Sequence, residues 1–319
     1  MIDPNIDWRE RIIVVLGGGG FVGRYVCEQL MATGVRVRVA QRHPKQAYFL
    51  QPLAAVGQLD LVHADMARPT TLDPVVEGAW GVVNLVGAFG GDLQRVHADS
   101  PARSAELAAR LGVESFVHVS AIGADPASAS GYASTKGEGE RRVREAFPAA
   151  TIIRPSLVFG QEDDLTNRFA SMAKRAFLPV LAPGTRFQPV WVADLAQAIV
   201  AAATDPEEFG GKTFEIGGPQ VMTMRDLNLE IARVAGLQPN IVEVPDAVGN
   251  AISKLGFMPG APLTRDQWLM LQRDNVASGP GLEAFGVEPT PLAVVAPEWL
   301  GRFRKGGRFA SRRAQASAG

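Results

Sequence analysis

The sequence predicts an α/β fold: a doubly wound parallel sheet of the Rossmann type with a smaller, interleaved C-terminal α/β lobe. Three observations predict it. The first strand, residues 12–16, is an apolar run without alternation, as in a parallel strand covered on both faces, and further strand-like runs recur through the first two thirds of the chain. Stretches of helical period lie between them, the order of βαβ units with right-handed crossovers. The first run, residues 12–16, leads at once into Gly17-Gly18-Gly19-Gly20-Phe21-Val22-Gly23 and then into an amphipathic helical pattern.

Such a glycine turn turns backbone N–H groups and the positive end of a helix dipole toward a pyrophosphate. Two registers fit. Gly18, Gly20 and Gly23 spell G-x-G-x-x-G, and Gly17, Gly20 and Gly23 spell G-x-x-G-x-x-G. In either, Gly20 permits close approach of a phosphate and Gly23 lets the helix pack on the strand. The alternative is a glycine-rich turn without a ligand. The order strand, turn, helix favours a dinucleotide.

The second strand, 35–40, follows Thr33-Gly34, a helix stop. NAD binders place an acid about 20 residues beyond the glycines, on the ribose 2′-OH. Here the strand ends Ala40-Gln41-Arg42-His43-Pro44-Lys45, and no acid stands between Glu28 and Asp60. Arg42, helped by Arg24 or Lys45, suits a 2′-phosphate instead, so NADP(H) is favoured over NAD(H). Solvated surface cations are the alternative.

The third strand is 59–64, ending at Asp65-Met66. The fourth is 82–87, the fifth 116–120, and the sixth 151–154, closed by Pro155. Helical patterns span 102–111 and 132–147. Asp99-Ser100-Pro101 precedes the former, which predicts a late start or a kink. Beyond Pro155, prolines and glycines cluster across 177–189. A helix resumes at 192–203 and a strand at 213–216. Thr223-x-x-Asp226 opens a helix ending at Gly236. A short strand at 241–244 and helices near 247–255 and 264–273 complete the pattern. The expected division is a dinucleotide-binding domain at 1–155 with 190–217 returning to it, a smaller substrate or partner lobe at 156–301, and a basic tail at 302–319.

Composition narrows the function classes. The net charge of −1 gives no overall pull toward nucleic acid. It hides an asymmetry: Arg302, Arg304, Lys305, Arg308, Arg312 and Arg313 give the tail +6 and leave the remainder at −7. That tail reads as a disordered, solvated end or as a docking arm for an acidic partner or anionic membrane surface. Cys27 is the sole cysteine, so no intrachain disulfide forms. His43, His63, His97 and His118 are scattered without metal-ligand spacing, so no metal is expected. No run approaches the roughly 20 apolar residues of a membrane span, and Met1-Ile2-Asp3-Pro4 opens no signal peptide. The expected place is the cytoplasm, peripheral to the inner face of a membrane where the tail docks.

Ser120 ends the fifth strand at the carboxyl edge, where open α/β folds bind ligands. Tyr132 and Lys136 follow at the start of a helix, four apart and therefore on one face. The set suits hydride chemistry at a carbonyl. Lys136 would favour the Tyr132 phenolate and hold the nicotinamide ribose, Tyr132 would pass a proton to or from the substrate oxygen, and Ser120 would orient it. The same set kept for cofactor binding alone is the alternative.

The glycine turn, Ser120 and the Tyr132/Lys136 pair resemble the extended short-chain dehydrogenase/reductases. The finer text resembles one atypical branch, the nucleotide-binding accessory subunit of respiratory complex I and its bacterial relatives. The segments that carry it include Val117-His118-Val119-Ser120-Ala121-Ile122-Gly123-Ala124, Arg154-Pro155-Ser156-Leu157-Val158-Phe159-Gly160-Gln161-Glu162-Asp163 and Phe187-Gln188-Pro189-Val190-Trp191-Val192-Ala193-Asp194. The likeness runs from about Arg11 to Phe309. It implies tight NADP(H) binding that serves structure or assembly. It also implies that Asp65 and Met66 flank the adenine, that Gly87 lies along the cofactor, and that Pro155 and Ser156 approach the nicotinamide. Asp194 falls on the helix after the second-lobe loop, where it also reads as a first-turn acid facing the helix dipole. Two readings follow: an accessory protein of a respiratory quinone oxidoreductase, or a freestanding NADP(H)-dependent oxidoreductase or epimerase on a quinone precursor, a lipid-like carbonyl or a sugar nucleotide.

Overall fold

The computed structural model describes residues 7–175, 177–254 and 263–304. They form two compact units. The first takes the chain through Pro155, Val192–Ile216 and Ala277–Glu288; the second takes Ser156–Trp191, Gly217–Val276 and the chain from Pro289. Residues 277–288, placed with the smaller lobe on sequence, thus belong to the first unit. Aromatic packing holds them there: the Phe285 ring lies 4.6 Å from that of Phe209 and 4.7 Å from that of Phe214.

The sheet of the first unit contains β1 (Ile12–Leu16), β2 (Arg36–Gln41), β3 (Leu59–His63), β4 (Gly81–Asn84), β5 (Ser115–Val119), β6 (Thr151–Pro155) and β7 (Thr213–Ile216). All pairs are parallel, in the order β7-β6-β5-β4-β1-β2-β3. The central strands β1, β4 and β5 are covered on both faces, whereas β3 and β7 at the sheet edges are half-buried or exposed over most of their length. Val14, Leu16, Val82, Phe116 and Ile152 join Leu107 and Ala108 of α2 (Ser100–Arg110) and Val143 of α3 (Gly131–Ala146) in one buried core. α1 (Phe21–Ala32) and α4 (Val192–Thr204) are joined by a hydrogen bond of 3.0 Å from Gln29 Nε2 to the Ala193 carbonyl. The strand order reverses between β1 and β4, so their carboxyl ends open the crevice in which such sheets bind ligands.

Two local expectations change. β4 stops at Asn84, short of Gly87, because Asn84 Oδ1 accepts from the Val86 N–H at 3.1 Å and turns the chain. The helix carrying Pro101 starts early: a π turn, Arg95–Asp99, runs directly into α2. Pro101 has no N–H for the carbonyl of His97, four residues back, and the wider turn accommodates that loss. The same carbonyl packs against Gly139 of α3, leaving no room for a Cβ there.

The second unit packs Phe159, Leu178, Phe187, Leu227, Ile231, Trp299 and Leu300 into its own core. Its helix Met224–Val234 starts where the sequence predicts, with Thr223 Oγ1 accepting from the Asp226 N–H at 3.1 Å. The proline-rich stretch holds a strand, Phe177–Leu181, paired in parallel with Asn240–Val244. Pro179 is tolerated because the sheet has only two strands, and one side of each needs no partner. The basic tail begins later than expected. Arg302 Nη2 donates to Asn167 Oδ1 at 2.6 Å, and Phe303 packs on the core with Lys174 Nζ 5.0 Å from its ring centre. Arg302 and Arg304 are therefore part of the folded unit, whereas Lys305, Arg308, Arg312 and Arg313 lie outside the described residues. Among the described residues no helix is long and apolar enough to cross a membrane.

Candidate functional site

The glycine turn is built on steric grounds at each position. Gly17 holds φ +83°, a backbone that side chains rarely adopt. A Cβ on Gly23 would lie 2.5 Å from the Gly17 oxygen and 2.6 Å from Gly18 Cα, and one on Gly18 would lie 2.9 Å from Cys27 Sγ. Gly20 differs: only the Gly17 oxygen comes within 4 Å of a Cβ there, at 3.2 Å. The turn is closed toward the protein and open at Gly20. Gly20 caps α1 without a side-chain hydrogen bond, and the first turn, with Phe21 and Val22, carries no acid. An anion is the ligand this helix end fits. Cys27 is fully buried, and burial pushes its thiol pKa up, which makes it a packing residue.

At the end of β2, Gln41 stands where an acid would. Its Oε1 accepts from the Gly19 N–H at 3.0 Å and its Nε2 donates to the His43 carbonyl at 2.7 Å. Arg42 is exposed, and among the described residues its guanidinium has no hydrogen bond or ion pair. Arg24 lies over the Phe49 ring at 4.2 Å. Beyond β3, the Asp65 N–H donates to Thr71 Oγ1 at 2.9 Å and its Oδ1 accepts from Ala67 at 3.0 Å, so that turn fixes itself. The Met66 carbonyl accepts from Ser100 Oγ at 2.6 Å, while its half-buried side chain rests on the core.

Ser120 follows β5, Lys136 of α3 reaches the carboxyl end of the same strand near Gly87, and Tyr132 lies one turn earlier on α3. The Ser120 N–H donates to the Ile153 carbonyl at 2.7 Å, while its Oγ is buried and has no partner among the described residues. Lys136 is 3% exposed, and its Nζ donates to the Val119 carbonyl at 3.1 Å. A Cβ on Gly87 would lie 3.5 Å from that Nζ. Burial lowers the Lys136 ammonium to about 8, opposed by the charge of Glu140 one turn on. Glu140 is in turn held by Arg154, at 2.6 Å from Nη2 and 2.9 Å from Nε. A serine hydroxyl, a phenol and an ammonium on one sheet edge can orient a carbonyl oxygen, exchange a proton with it and hold ribose hydroxyls.

Pro155 ends β6, where its carbonyl accepts from the Ile122 N–H at 3.1 Å. Ser156 belongs to the second unit, and its hydroxyl contacts the Asn275 carbonyl at 2.8 Å and Asn275 Oδ1 at 2.6 Å. Asp194 is buried in the first turn of α4.

Sequence reading missed three neighbours of this set. Phe89 stacks on the Tyr132 ring, with centroids 5.0 Å apart and planes at 9°, and His97 meets the same ring edge-on at 5.1 Å. His118 is fully buried beside Asn84, whose Nδ2 lies 3.0 Å from its Nδ1. Burial, and after it the charge of Lys136, depress the His118 pKa to about 3, so it is neutral. These residues lie far apart in sequence and spell no motif. Among the described residues no cluster of His, Cys, Asp and Glu could hold a metal ion.

The chain is similar to known proteins across this whole region. The model of the NAD dependent epimerase/dehydratase family matches residues 13–217. The mitochondrial NADH dehydrogenase [ubiquinone] 1 alpha subcomplex subunit 9 of Mus musculus is 34% identical, over 92% of this chain and 80% of the mouse protein. A ceramide reductase of Caulobacter vibrioides is 30% identical over 74% of each chain. Among solved structures, an NADPH-dependent quinone oxidoreductase of Escherichia coli complexed with NADPH superimposes with a TM-score of 0.71 at 21% identity, covering 88% of this chain and 97% of that one. The last likeness shows the fold. By its family match and its near full-length homology, the chain belongs to the NAD dependent epimerase/dehydratase family, the extended short-chain dehydrogenase/reductases, as a homologue of the respiratory subunit and its bacterial relatives.

Proposed function

We propose that this chain is an NADP(H)-binding accessory protein of a respiratory NADH:quinone oxidoreductase, or of the machinery that assembles it. The observation that carries the reading is the 34% identity to the mouse subunit over 92% of the chain. Gly17, Gly18, Gly19, Gly20, Phe21, Val22 and Gly23 would cradle the pyrophosphate, and Arg42 would take the 2′-phosphate. Asp65 and Met66 would flank the adenine, with Gly87, Tyr132, Lys136, Pro155 and Ser156 along the nicotinamide half. Native mass spectrometry of the purified protein, followed by pull-down from membranes of its source, tests this. Co-purified NADP(H) and recovery of the oxidoreductase are expected. A nucleotide-free protein that captures no subunit of that complex overturns the reading.

One observation favours a second reading, an NADP(H)-dependent reductase. The Ser120 Oγ is buried and unpartnered among the described residues, one residue beyond the Val119 carbonyl that Lys136 Nζ holds. A purely structural binder gains nothing from such a hydroxyl, and desolvating it costs about 1–3 kcal/mol. The bound nucleotide would supply the hydride. Ser120 would hold the substrate oxygen, Tyr132 would protonate it, and Lys136 would restore the phenol. Robust NADPH consumption on a quinone, ketone or sugar nucleotide, lost in Tyr132→Phe, decides for this reading.

A further inference from the structure

The loop after β4 runs Leu85-Val86-Gly87-Ala88-Phe89-Gly90-Gly91, seven residues without a polar side chain. Phe89 at its tip is 70% exposed, yet its ring lies parallel to that of Tyr132. At Gly90 and Gly91, which follow it, a Cβ would meet nothing within 4 Å. What fixes the loop is His97. The Ala88 N–H can only donate, and it lies 3.1 Å from His97 Nε2, so that nitrogen accepts and the ring proton sits on Nδ1. Nδ1 then donates to Thr135 Oγ1 at 3.0 Å, and Thr135 in turn donates to the Gly131 carbonyl at 2.8 Å. Thr135 stands between Tyr132 and Lys136 on α3. One buried imidazole therefore ties the loop, one residue before Phe89, to the helix that carries the phenol.

We propose that Phe89 is the substrate-selecting residue of this site, a flat apolar platform over Tyr132 that favours a conjugated ring carbonyl of the quinone type over a sugar nucleotide. The proposal rests on the reductase reading. An exposed aromatic costs solvation unless something covers it, and a planar, electron-poor ring is the partner that offset stacking suits. A pyranose brings hydroxyls that this loop has no side chain to satisfy. His97 is a positioning residue: it touches no substrate and holds the platform in register with Tyr132.

The test is equilibrium dialysis of naphthoquinone against the full chain saturated with NADP+, with UDP-glucose dialysed in parallel. Phe89→Ala should weaken naphthoquinone about tenfold, the loss of one aromatic stacking partner and its contact area, while Phe89→Trp retains it. UDP-glucose binding should be indifferent to both. Phe89 is exposed, so an unchanged Tm is expected of the variants and serves as the folding control. Thr135→Val, which removes the acceptor of the His97 proton, should weaken naphthoquinone when Phe89 is present and change nothing further in Phe89→Ala. No binding to the parent, equal binding to parent and Phe89→Ala, or a parallel fall for UDP-glucose overturns the platform. An equal effect of Thr135→Val in both backgrounds overturns the role of His97. Following NADPH oxidation in the same series separates the two ideas, since naphthoquinone held through Phe89 but never reduced removes the reductase reading and leaves the platform standing.

Discussion

Lys136 Nζ donates to the Val119 carbonyl at 3.1 Å, tying the second turn of α3 to the last residue of β5. Ser120 follows in the chain, so one hydrogen bond sets the spacing of strand-end hydroxyl and helix ammonium. The phenol of Tyr132, one turn earlier, inherits its place from the same contact. Lys136→Ala is expected to lower both NADPH affinity and Tm. Tyr132→Phe, at a half-buried position, should leave NADPH affinity within about threefold and remove any turnover. Calorimetric titration beside a turnover assay reads both, and a Lys136→Ala protein that binds NADPH as the parent does would sink the assignment.

The glycine turn makes a second prediction. Gly23→Ala drives a Cβ into the Gly17 oxygen at 2.5 Å and Gly18 Cα at 2.6 Å, both backbone atoms that cannot swing away. Relieving this pushes α1 off β1 at a cost of about 1–3 kcal/mol. Thermal unfolding should show the loss, and nucleotide binding should fall with it. A variant as stable as the parent contradicts the geometry.

Cofactor choice is a third. With no acid at the end of β2 and Gln41 in its place, NADPH should bind at least about tenfold tighter than NADH, because a charge-assisted contact from Arg42 contributes about 1.5–3 kcal/mol. Arg42→Asp should abolish or invert the preference. Gln41→Asp should move it the same way, since a carboxylate repels the 2′-phosphate and accepts from a 2′-OH. Equal dissociation constants for the two nucleotides in the parent rule out the arginine's role.

His118 predicts a pH dependence. Its folded pKa, about 3, lies below the ordinary 6.5, so between those values the unfolded chain binds a proton that the folded chain does not. Its contribution to stability is complete above about pH 6.5 and is lost as pH falls toward 3. Urea unfolding at several pH values, parent against His118→Gln, isolates that slope. Parallel curves for the two proteins would show that the imidazole does not carry it.

The basic end gives a fifth prediction, from sequence charge alone. Deleting 306–319 removes Arg308, Arg312 and Arg313 and keeps Arg302 and Arg304, which are folded into the second unit. If the tail docks, the full chain sediments with anionic vesicles at low salt and leaves them as the Debye length shrinks below about 8 Å. The truncated chain should stay in the supernatant while binding nucleotide normally. Identical partitioning of the two shows a solvated end.

Periodicity and glycine placement were enough to read the strand order of the first unit's sheet through β6. β1, the glycine turn and α1 are local features, because a doubly covered strand, a positive-φ glycine and a helix start each leave their mark within a few residues. Ser120, Tyr132 and Lys136 were legible for a related reason: a strand end and an i, i+4 pair are sequence-local. The return of 277–288 to the first unit was not, since Phe285 finds Phe209 and Phe214 only in three dimensions. Nor was the strand through Pro179, whose residues read as irregular until a second edge strand pairs with them.

The sequence by itself determined the βαβ order, the glycine turn and the places of Ser120 at a strand end and of Tyr132 and Lys136 on one helix, because each depends on backbone conformation and spacing over short distances. Only the tertiary structure decided what surrounds these residues: Gln41 on the Gly19 N–H, His118 buried beside Asn84, and Phe89 and His97 against the Tyr132 ring. The Gln41–Gly19, Asn84–His118, Phe89–Tyr132 and His97–Tyr132 contacts join residues more than 20 positions apart, and hydrogen-bond geometry and burial at such range are properties of the packed fold that no local pattern encodes.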